Sequence, residues 1–237
     1  MKTSYLKLAA CGGGIGGLAL MYWLEAAAID GKGLLTPMHP SWIGLWILTV
    51  VMLAVFFVGT RGVRGPAAYE SAFPGSLTAA IGCIPILILP LQTAAASFQT
   101  GAIPTAILPA LTALAFLLAA LCRLSGKRTP FLCHVIICVW LILEMLDLYQ
   151  TWSFEPRLHQ YCFQLFATAA LAVTACQFAA FGADKGSHKA LWFWGLTAGF
   201  LCLMSISHGL FYAAGTAWVL TNLSALSRPV RKYLKKT

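Results

Sequence analysis

Long apolar runs, separated by short polar breaks, divide this chain from end to end. A membrane core about 30 Å thick is crossed by about 20 residues of α-helix, because each residue rises 1.5 Å. Six runs have about that length, and they cover residues 8–28, 42–60, 76–98, 103–122, 131–150 and 158–181. Each of these runs predicts one membrane-spanning helix.

The last apolar run, 190–226, is too long to be one span. It holds 37 residues without a charge, which would reach about 55 Å as a single helix. The segment 205–209, Ser-Ile-Ser-His-Gly, offers turn and capping residues in its middle. We therefore predict two short helices, 190–207 and 209–226, and an all-α integral membrane protein of eight transmembrane helices arranged as hairpins with short loops.

The distribution of Lys and Arg gives an orientation. Cytoplasmic loops carry an excess of these residues. With eight helices and both termini cytoplasmic, only Lys32 and Arg157 of the 16 Lys and Arg residues fall outside. A seven-helix arrangement would move the basic segment 227–237 outside and divide the charges almost evenly. The pattern predicts a multi-pass protein of a plasma membrane, the bacterial inner membrane, with N- and C-termini cytoplasmic.

Composition excludes a soluble domain. The chain is 59% apolar and 10% charged, whereas soluble domains are about a quarter charged. A net charge of +9 in a soluble protein would suggest nucleic acid, but here the basic residues collect on one membrane face, so no nucleic-acid partner is predicted. We expect one membrane domain, 1–226, within the lipid bilayer, and a basic cytoplasmic tail, 227–237, against anionic inner-leaflet lipid.

A glycine-rich segment near the start of the chain contains the spacing G-x-G-x-x-G. In dinucleotide-binding loops that spacing follows a buried strand and is part of a β-α-β unit, but here a second apolar run follows. We therefore predict no cofactor. The pairs Gly12/Gly16 and Gly13/Gly17 instead predict a face without side chains, on which a neighbouring helix, a protein partner or a second copy could pack.

Polar side chains gather at the outer ends of the fifth and sixth predicted helices. Glu144 and Asp147 lie one turn apart on the fifth helix, and His159, Tyr161 and Gln164 follow on the sixth. Ionisable groups are costly inside a membrane and usually have a function, so these residues form a candidate substrate or ion site. The alternative is that Glu144 hydrogen-bonds Gln164 or Tyr161 and only holds the two helices together.

Prolines give a second signal in the third and fourth predicted helices. Pro85, Pro90 and Pro109 lie inside the runs, and each one leaves a carbonyl without its helical amide. Gln92 and Thr93 are near enough to bond to such groups. Interrupted helices in paired positions are typical of transporter binding sites, although prolines also kink membrane helices without any further role.

Three functions are compatible with this pattern. The leading hypothesis is a small permease or ion-coupled transporter with an outward-facing polar site between predicted helices 3 to 6. A non-catalytic membrane subunit or sensor of a larger complex is the alternative. A membrane-embedded metal-dependent hydrolase would need His159, His208 and an acid around one metal ion. The eight cysteines form no C-x-x-C pair, so the sequence does not identify metal-binding residues. No nucleophile motif favours an enzyme.

Overall fold

The computed structural model describes residues 3–28, 39–63, 65, 69–152 and 158–226, without the side chains of 3, 70, 71, 152 and 158–160. This part of the chain is all-helical and contains no strand. Eight long helices and one short one follow in order: α1 (Thr3–Ala27), α2 (Pro40–Thr60), α3 (Tyr69–Ala72), α4 (Leu77–Gln99), α5 (Ile103–Ser125), α6 (Phe131–Trp152), α7 (Leu158–Gly182), α8 (His188–Met204) and α9 (Leu210–Ala225). The short α3 lies in a segment for which the sequence predicted a loop.

Local chemistry sets several helix boundaries. The Ser76 hydroxyl accepts a hydrogen bond from the Ala79 amide at the start of α4, and Ser187 does the same for Ala190 in α8. These caps satisfy amides that have no partner within the helix. Both helices therefore begin where the polar breaks of the sequence end.

The predicted break in the last apolar run is confirmed. The chain leaves α8 at Ser205, forms a 3-10 turn over Ile206–His208, and starts α9 after Gly209. Gly209 has φ 147° and ψ 164°, a conformation open to glycine and strained for residues with a Cβ. Glycine at this position thus lets the chain reverse between two helices of about 25 Å each.

α8 and α9 form the centre of the bundle. α8 contacts α1, α2, α7 and α9, whereas α9 contacts α4 and α8 most closely. α5 packs on α4 and α6, and α6 packs on α7. Most residues of α8 are buried, as expected for a helix that is apolar on all sides.

The outer faces of the bundle are apolar. Large side chains such as Ile47, Val58 and Leu117 are exposed on α2 and α5, and an apolar surface of this extent needs a lipid bilayer around it. Six helices, α1, α2, α4, α5, α6 and α7, are long and apolar enough to cross a membrane. The fold is therefore compatible with an integral membrane protein.

The two ends of the bundle differ in charge. The Lys7 ammonium donates to the Ser224 hydroxyl at 3.2 Å, so the start of α1 and the end of α9 lie at the same end. We call it the basic end, because all described Lys and Arg residues lie there: Lys7, Arg61, Arg123, Lys127, Arg128, Lys185 and Lys189. The opposite end, the acidic end, contains Glu25 and Asp147. Lys32 and Arg157, which the sequence assigns to that end, lie outside the described residues.

Asp184 ties the loops of the basic end together. Its Oδ2 pairs with Arg128 Nη1 at 2.9 Å, and its Oδ1 accepts the amide of Tyr69 at 3.1 Å. The Tyr69 hydroxyl in turn lies 2.7 Å from the Thr129 hydroxyl. These bonds hold α3 against the loops at this end.

Candidate functional site

A cavity of about 290 Å³ lies in the half of the bundle toward the acidic end. α4 and α6 both pack on α5, and side chains of α4, α6, α7 and α9 line the cavity. Its lining residues are Leu89, Gln92, Thr93, Trp140, Glu144, Leu148, Gln164, Thr168, His208, Phe211 and Tyr212. The cavity therefore receives side chains from four long helices and from the turn before α9.

Helical spacing explains how each element contributes to this wall. Trp140, Glu144 and Leu148 follow one another at intervals of four residues on α6, and Gln164 and Thr168 do so on α7. Residues four apart lie on the same helix face, one turn above the other. Each helix thus turns one narrow stripe toward the cavity, and Glu144 is the acidic group in the stripe of α6.

Gln164 is a deeply buried polar residue of the cavity wall, with 2% of its surface exposed. Its Oε1 accepts a long hydrogen bond of 3.4 Å from the Tyr212 hydroxyl, and its Nε2 has no partner among the described residues. Buried polar atoms usually have a partner. The Gln164 amide can therefore still bond to a ligand in the cavity.

Gln164 does not hold Glu144, since its Nε2 has no hydrogen-bond partner in the described part of the chain. The Trp140 indole nitrogen lies near Glu144, one turn away on α6, without forming a hydrogen bond of acceptable geometry. The Glu144 carboxylate also makes no ion pair with any described residue. The interhelical bond between Glu144 and Gln164 that the sequence allowed is thus not present.

His208 joins the cavity to a second acid. Its Nε2 lies 3.4 Å from Glu25 Oε1 on α1, and its side chain also lines the cavity. Burial lowers the pKa of His208 below its ordinary value of 6.5, and the Glu25 carboxylate partly opposes this shift. His208 is therefore mainly neutral at pH 7.

The structure brings together only part of the predicted site. Glu144, Gln164 and Gln92 line the cavity. Asp147 is exposed on α6, and Tyr161 is half-buried on α7, but neither contributes to the cavity lining. The side chain of His159 lies outside the described residues.

Asp147 borders the stripe of α6 that faces the cavity. Successive residues of an α-helix are rotated by about 100°. Relative to Glu144, Leu148 is turned by about 40° one way, whereas Trp140 and Asp147 are turned by about 40° and about 60° the other way. Asp147 therefore lies beside Trp140 at the edge of the stripe, where its side chain is exposed and does not line the cavity.

Sequence reasoning does not assign Trp140, His208 or Tyr212 to this site. Trp140 lies in the cavity wall, and only 2% of its surface is exposed. The sequence places His208 in a helix break and among the ligands of the hydrolase hypothesis, and it places Tyr212 in the last span. Their signal was present in the polar segment 205–209 of a charge-free run, with Tyr212 one turn beyond His208.

The predicted prolines lie inside continuous helices. α4 continues through Pro85 and Pro90, and α5 continues through Pro109. Thr93, beside the cavity, donates to the carbonyls of Leu89 and Pro90 and not to the carbonyl of residue 86, which Pro90 leaves without its amide. Pro90 lies next to Leu89 and within one turn of Thr93, which both line the cavity.

The glycine pairs of α1 face different surroundings. A Cβ on Gly13 would meet the Met52 side chain of α2, and one on Gly17 would meet Met204 of α8, both closer than 3 Å. A Cβ on Gly12 or Gly16 would meet nothing within 4 Å. The pair Gly12/Gly16 therefore forms an open groove on the outer face of the described bundle.

Metal ligands are not assembled in the described part of the chain. No group of three His, Cys, Asp or Glu side chains there could hold a metal ion. The pair of Glu25 and His208 supplies two such groups, and no third completes it. The metal-dependent hydrolase hypothesis therefore gains no support from the described residues.

Comparison of the chain with protein families, with curated proteins and with solved structures finds no match. Its function has to be argued from the cavity itself.

Proposed function

We propose that all eight long helices cross the membrane and that both termini lie in the cytoplasm of a cell bounded by this plasma membrane. α8 and α9, at about 25 Å each, are shorter than a full span, but they lie inside a ring of longer helices. The basic end, with all the described Lys and Arg residues, corresponds to the cytoplasmic face under the positive-inside rule. The basic tail 227–237 would extend from this end toward anionic lipid.

Reporter fusions test this topology. A fluorescent protein that folds only in the cytoplasm, fused after residue 226 or before residue 3, should be bright. Alkaline phosphatase, which is active only outside, should be active when inserted at residue 101 in the α4–α5 turn. Phosphatase activity at the C-terminus would overturn the eight-span topology.

The protein is proposed to be a small permease coupled to protons. The observation that carries this proposal is the cavity lined by Glu144, whose carboxylate makes no ion pair with any described residue. A carboxylate in such a place can release a proton to bind a solute and can take up the proton when the solute leaves. Proton and solute would thus exchange at one group, which is the simplest form of ion coupling.

The position of the cavity supports transport over a purely structural role. Glu144 lies eight residues before the end of α6, about 12 Å below the acidic end. Gln92 and Thr93 on the α4 side of the cavity are exposed, whereas Gln164 on the opposite wall is buried. A solute entering from the acidic end would therefore pass from an accessible rim to an enclosed polar wall.

Proteoliposomes test the permease. Purified protein is reconstituted with the dye pyranine inside and with an acid-inside pH gradient, and ethanolamine, glycine, glycerol and lactate are added in turn. At least one of these solutes should accelerate proton efflux. Glu144→Gln should abolish the acceleration, while Asp147→Asn, a matched change one turn away on the exposed face, should keep it. Absence of acceleration by all four solutes, or full activity of Glu144→Gln, would refute the permease.

The open groove at Gly12 and Gly16 favours a second candidate, a membrane subunit or sensor. Helices pack closely where glycines remove side chains at intervals of four residues, and this groove has nothing against it in the described chain. Crosslinking in native membranes tests this candidate. If wild type is captured with a stoichiometric partner that Gly16→Leu loses, while Glu144→Gln has no effect on flux, the subunit replaces the permease.

A further inference from the structure

The electrostatic balance of the cavity is negative. Among the described residues of the acidic end there is no Lys or Arg, and Glu144 makes no ion pair there. His208 is mainly neutral because of its burial and faces Glu25. Tyr212 contributes a neutral hydroxyl, and Asp147 is exposed on α6 and does not line the cavity.

Aromatic rings form the wall around this carboxylate. Trp140 and Phe211 lie with their ring centroids 6.1 Å apart, and Phe211 meets Tyr212 edge to face at 5.2 Å. All three residues line the cavity together with Glu144. Ring faces attract cations, most strongly where water is excluded. A cavity lined by a carboxylate and three aromatic residues is suited to an organic ammonium group, which offers charge and apolar surface together.

Inorganic cations suit the cavity less well. Calcium and magnesium ions need about six oxygen ligands at fixed distances, and the described residues supply no cluster of three His, Cys, Asp or Glu groups. The cavity of about 290 Å³ is also larger than one ion needs, since a water molecule takes about 30 Å³ in the liquid.

The Gln164 amide supplies a second anchor. It lies on α7, across the cavity from the α4 rim, and its Nε2 has no partner among the described residues. A ligand hydroxyl can both donate to and accept from an amide. A small amino alcohol would therefore match both the charged and the polar parts of the wall.

We infer that the cavity binds a small organic ammonium compound, with its charged group between Glu144 and the rings of Trp140, Phe211 and Tyr212, and with a second polar group at Gln164. The inference rests on the proposed permease only for the statement that this compound is also carried across the membrane. Binding itself needs only the cavity.

Calorimetry on the purified full-length protein in detergent tests the binding. The probes are choline, ethanolamine and methylammonium, and 3,3-dimethylbutan-1-ol serves as the uncharged isostere of choline. At least one ammonium probe should bind. Choline should bind more tightly than its isostere by about thirtyfold or more, because loss of one partner of a desolvated charge pair costs at least that factor.

Three variants locate the site. Glu144→Gln should weaken ammonium binding by about thirtyfold or more, and Asp147→Asn should leave it within about threefold. Phe211→Leu keeps the apolar volume but removes a ring, so it should weaken choline binding by about threefold or more and leave the isostere unchanged. Equal melting temperatures of Glu144→Gln and wild type show that the variant is folded.

The inference is overturned if none of the three ammonium probes binds, if choline and its isostere bind equally, or if Glu144→Gln keeps full affinity. These results are distinct from failure of the permease. Ammonium binding without any solute-dependent proton flux would overturn the permease and leave this site. Proton flux driven by glycerol or lactate, without ammonium binding, would overturn this site and leave the permease.

Discussion

A close approach of α4 to α9 predicts the effect of one added methyl group. Gly82 lies on α4 where that helix packs against α9. A Cβ at this position would clash with Thr221 Oγ1, and it would lie 2.8 Å from Thr221 Cβ and 3.0 Å from the Ala217 carbonyl oxygen. Rotation of Thr221 would not remove the clash, since its Cβ stays in place and its hydroxyl already donates to the Ala217 carbonyl at 2.7 Å. Gly82→Ala must therefore push the two helices apart.

The expected change in the free energy of unfolding follows from two opposing contributions. Alanine is better than glycine in a helix by up to about 1 kcal/mol, whereas an overpacked contact costs about 1–3 kcal/mol. Gly16→Ala on α1 isolates the first contribution, because a Cβ there meets nothing within 4 Å. Gly82→Ala should thus have a free energy of unfolding about 1–3 kcal/mol lower than that of Gly16→Ala.

Unfolding by SDS titration in mixed micelles, followed by tryptophan fluorescence, measures this difference. Thr221→Ala in the Gly82→Ala background removes the clashing hydroxyl but not the Cβ, so it should recover part of the loss, as residues in direct contact are not additive. If Gly82→Ala unfolds at the same SDS fraction as Gly16→Ala, the close packing of α4 on α9 is refuted.

Further predictions concern the basic end, the turn before α9 and the thiols. Arg123 is 4% exposed, and its guanidinium carbon lies 4.0 Å from the ring centre of Phe73. Arg123→Lys, which replaces this planar group with a strongly hydrated ammonium, should lower the free energy of unfolding by about 1–3 kcal/mol and by more than Arg123→Met. The opposite ranking in SDS titration would contradict the burial of this group away from water. His208 has a lowered pKa in the folded protein. The unfolded chain therefore binds more protons just below pH 6.5, and the stability of the protein falls as the pH drops through that range. His208→Gln should reduce the loss of melting temperature between about pH 7 and about pH 5, and an unchanged loss would refute this role of His208. Cys176 is exposed and Cys202 is fully buried. N-ethylmaleimide should therefore modify Cys176 in the folded protein and leave Cys202 unmodified, as measured by mass spectrometry. Equal modification of the two thiols would contradict the orientation of α7 and α8.

Helix positions could be predicted from the sequence because they depend on local properties. The run 42–60 becomes α2, Pro40–Thr60, and the run 103–122 becomes α5, Ile103–Ser125. A helix satisfies its backbone hydrogen bonds within its own segment, so an apolar run and its capping residues are enough to define it. The break at 205–209 was predictable for the same reason, since Gly209 supplies a conformation that its neighbours cannot adopt without strain.

The residues that line the cavity could be predicted only in part from the sequence. Glu144 and Gln164 were identified because polar groups in apolar helices are rare and costly. Asp147, of the same chemical type and one turn away, could not be separated from Glu144, because that distinction depends on which side of α6 faces the gap beside α4. Tyr212 could not be assigned, because nothing in its own segment indicates its contact with Gln164.

The sequence by itself determined the number of long helices, their approximate ends and the concentration of basic residues at one end. Tertiary structure alone decided that α8 and α9 lie at the centre, that His208 and Tyr212 join Glu144 around one cavity, and that Asp147 does not. The physical reason is that helix formation in an apolar medium depends on contacts within about four residues, whereas a cavity is the space left between helices distant in sequence. Its chemistry depends on their rotation and packing, which no single segment specifies.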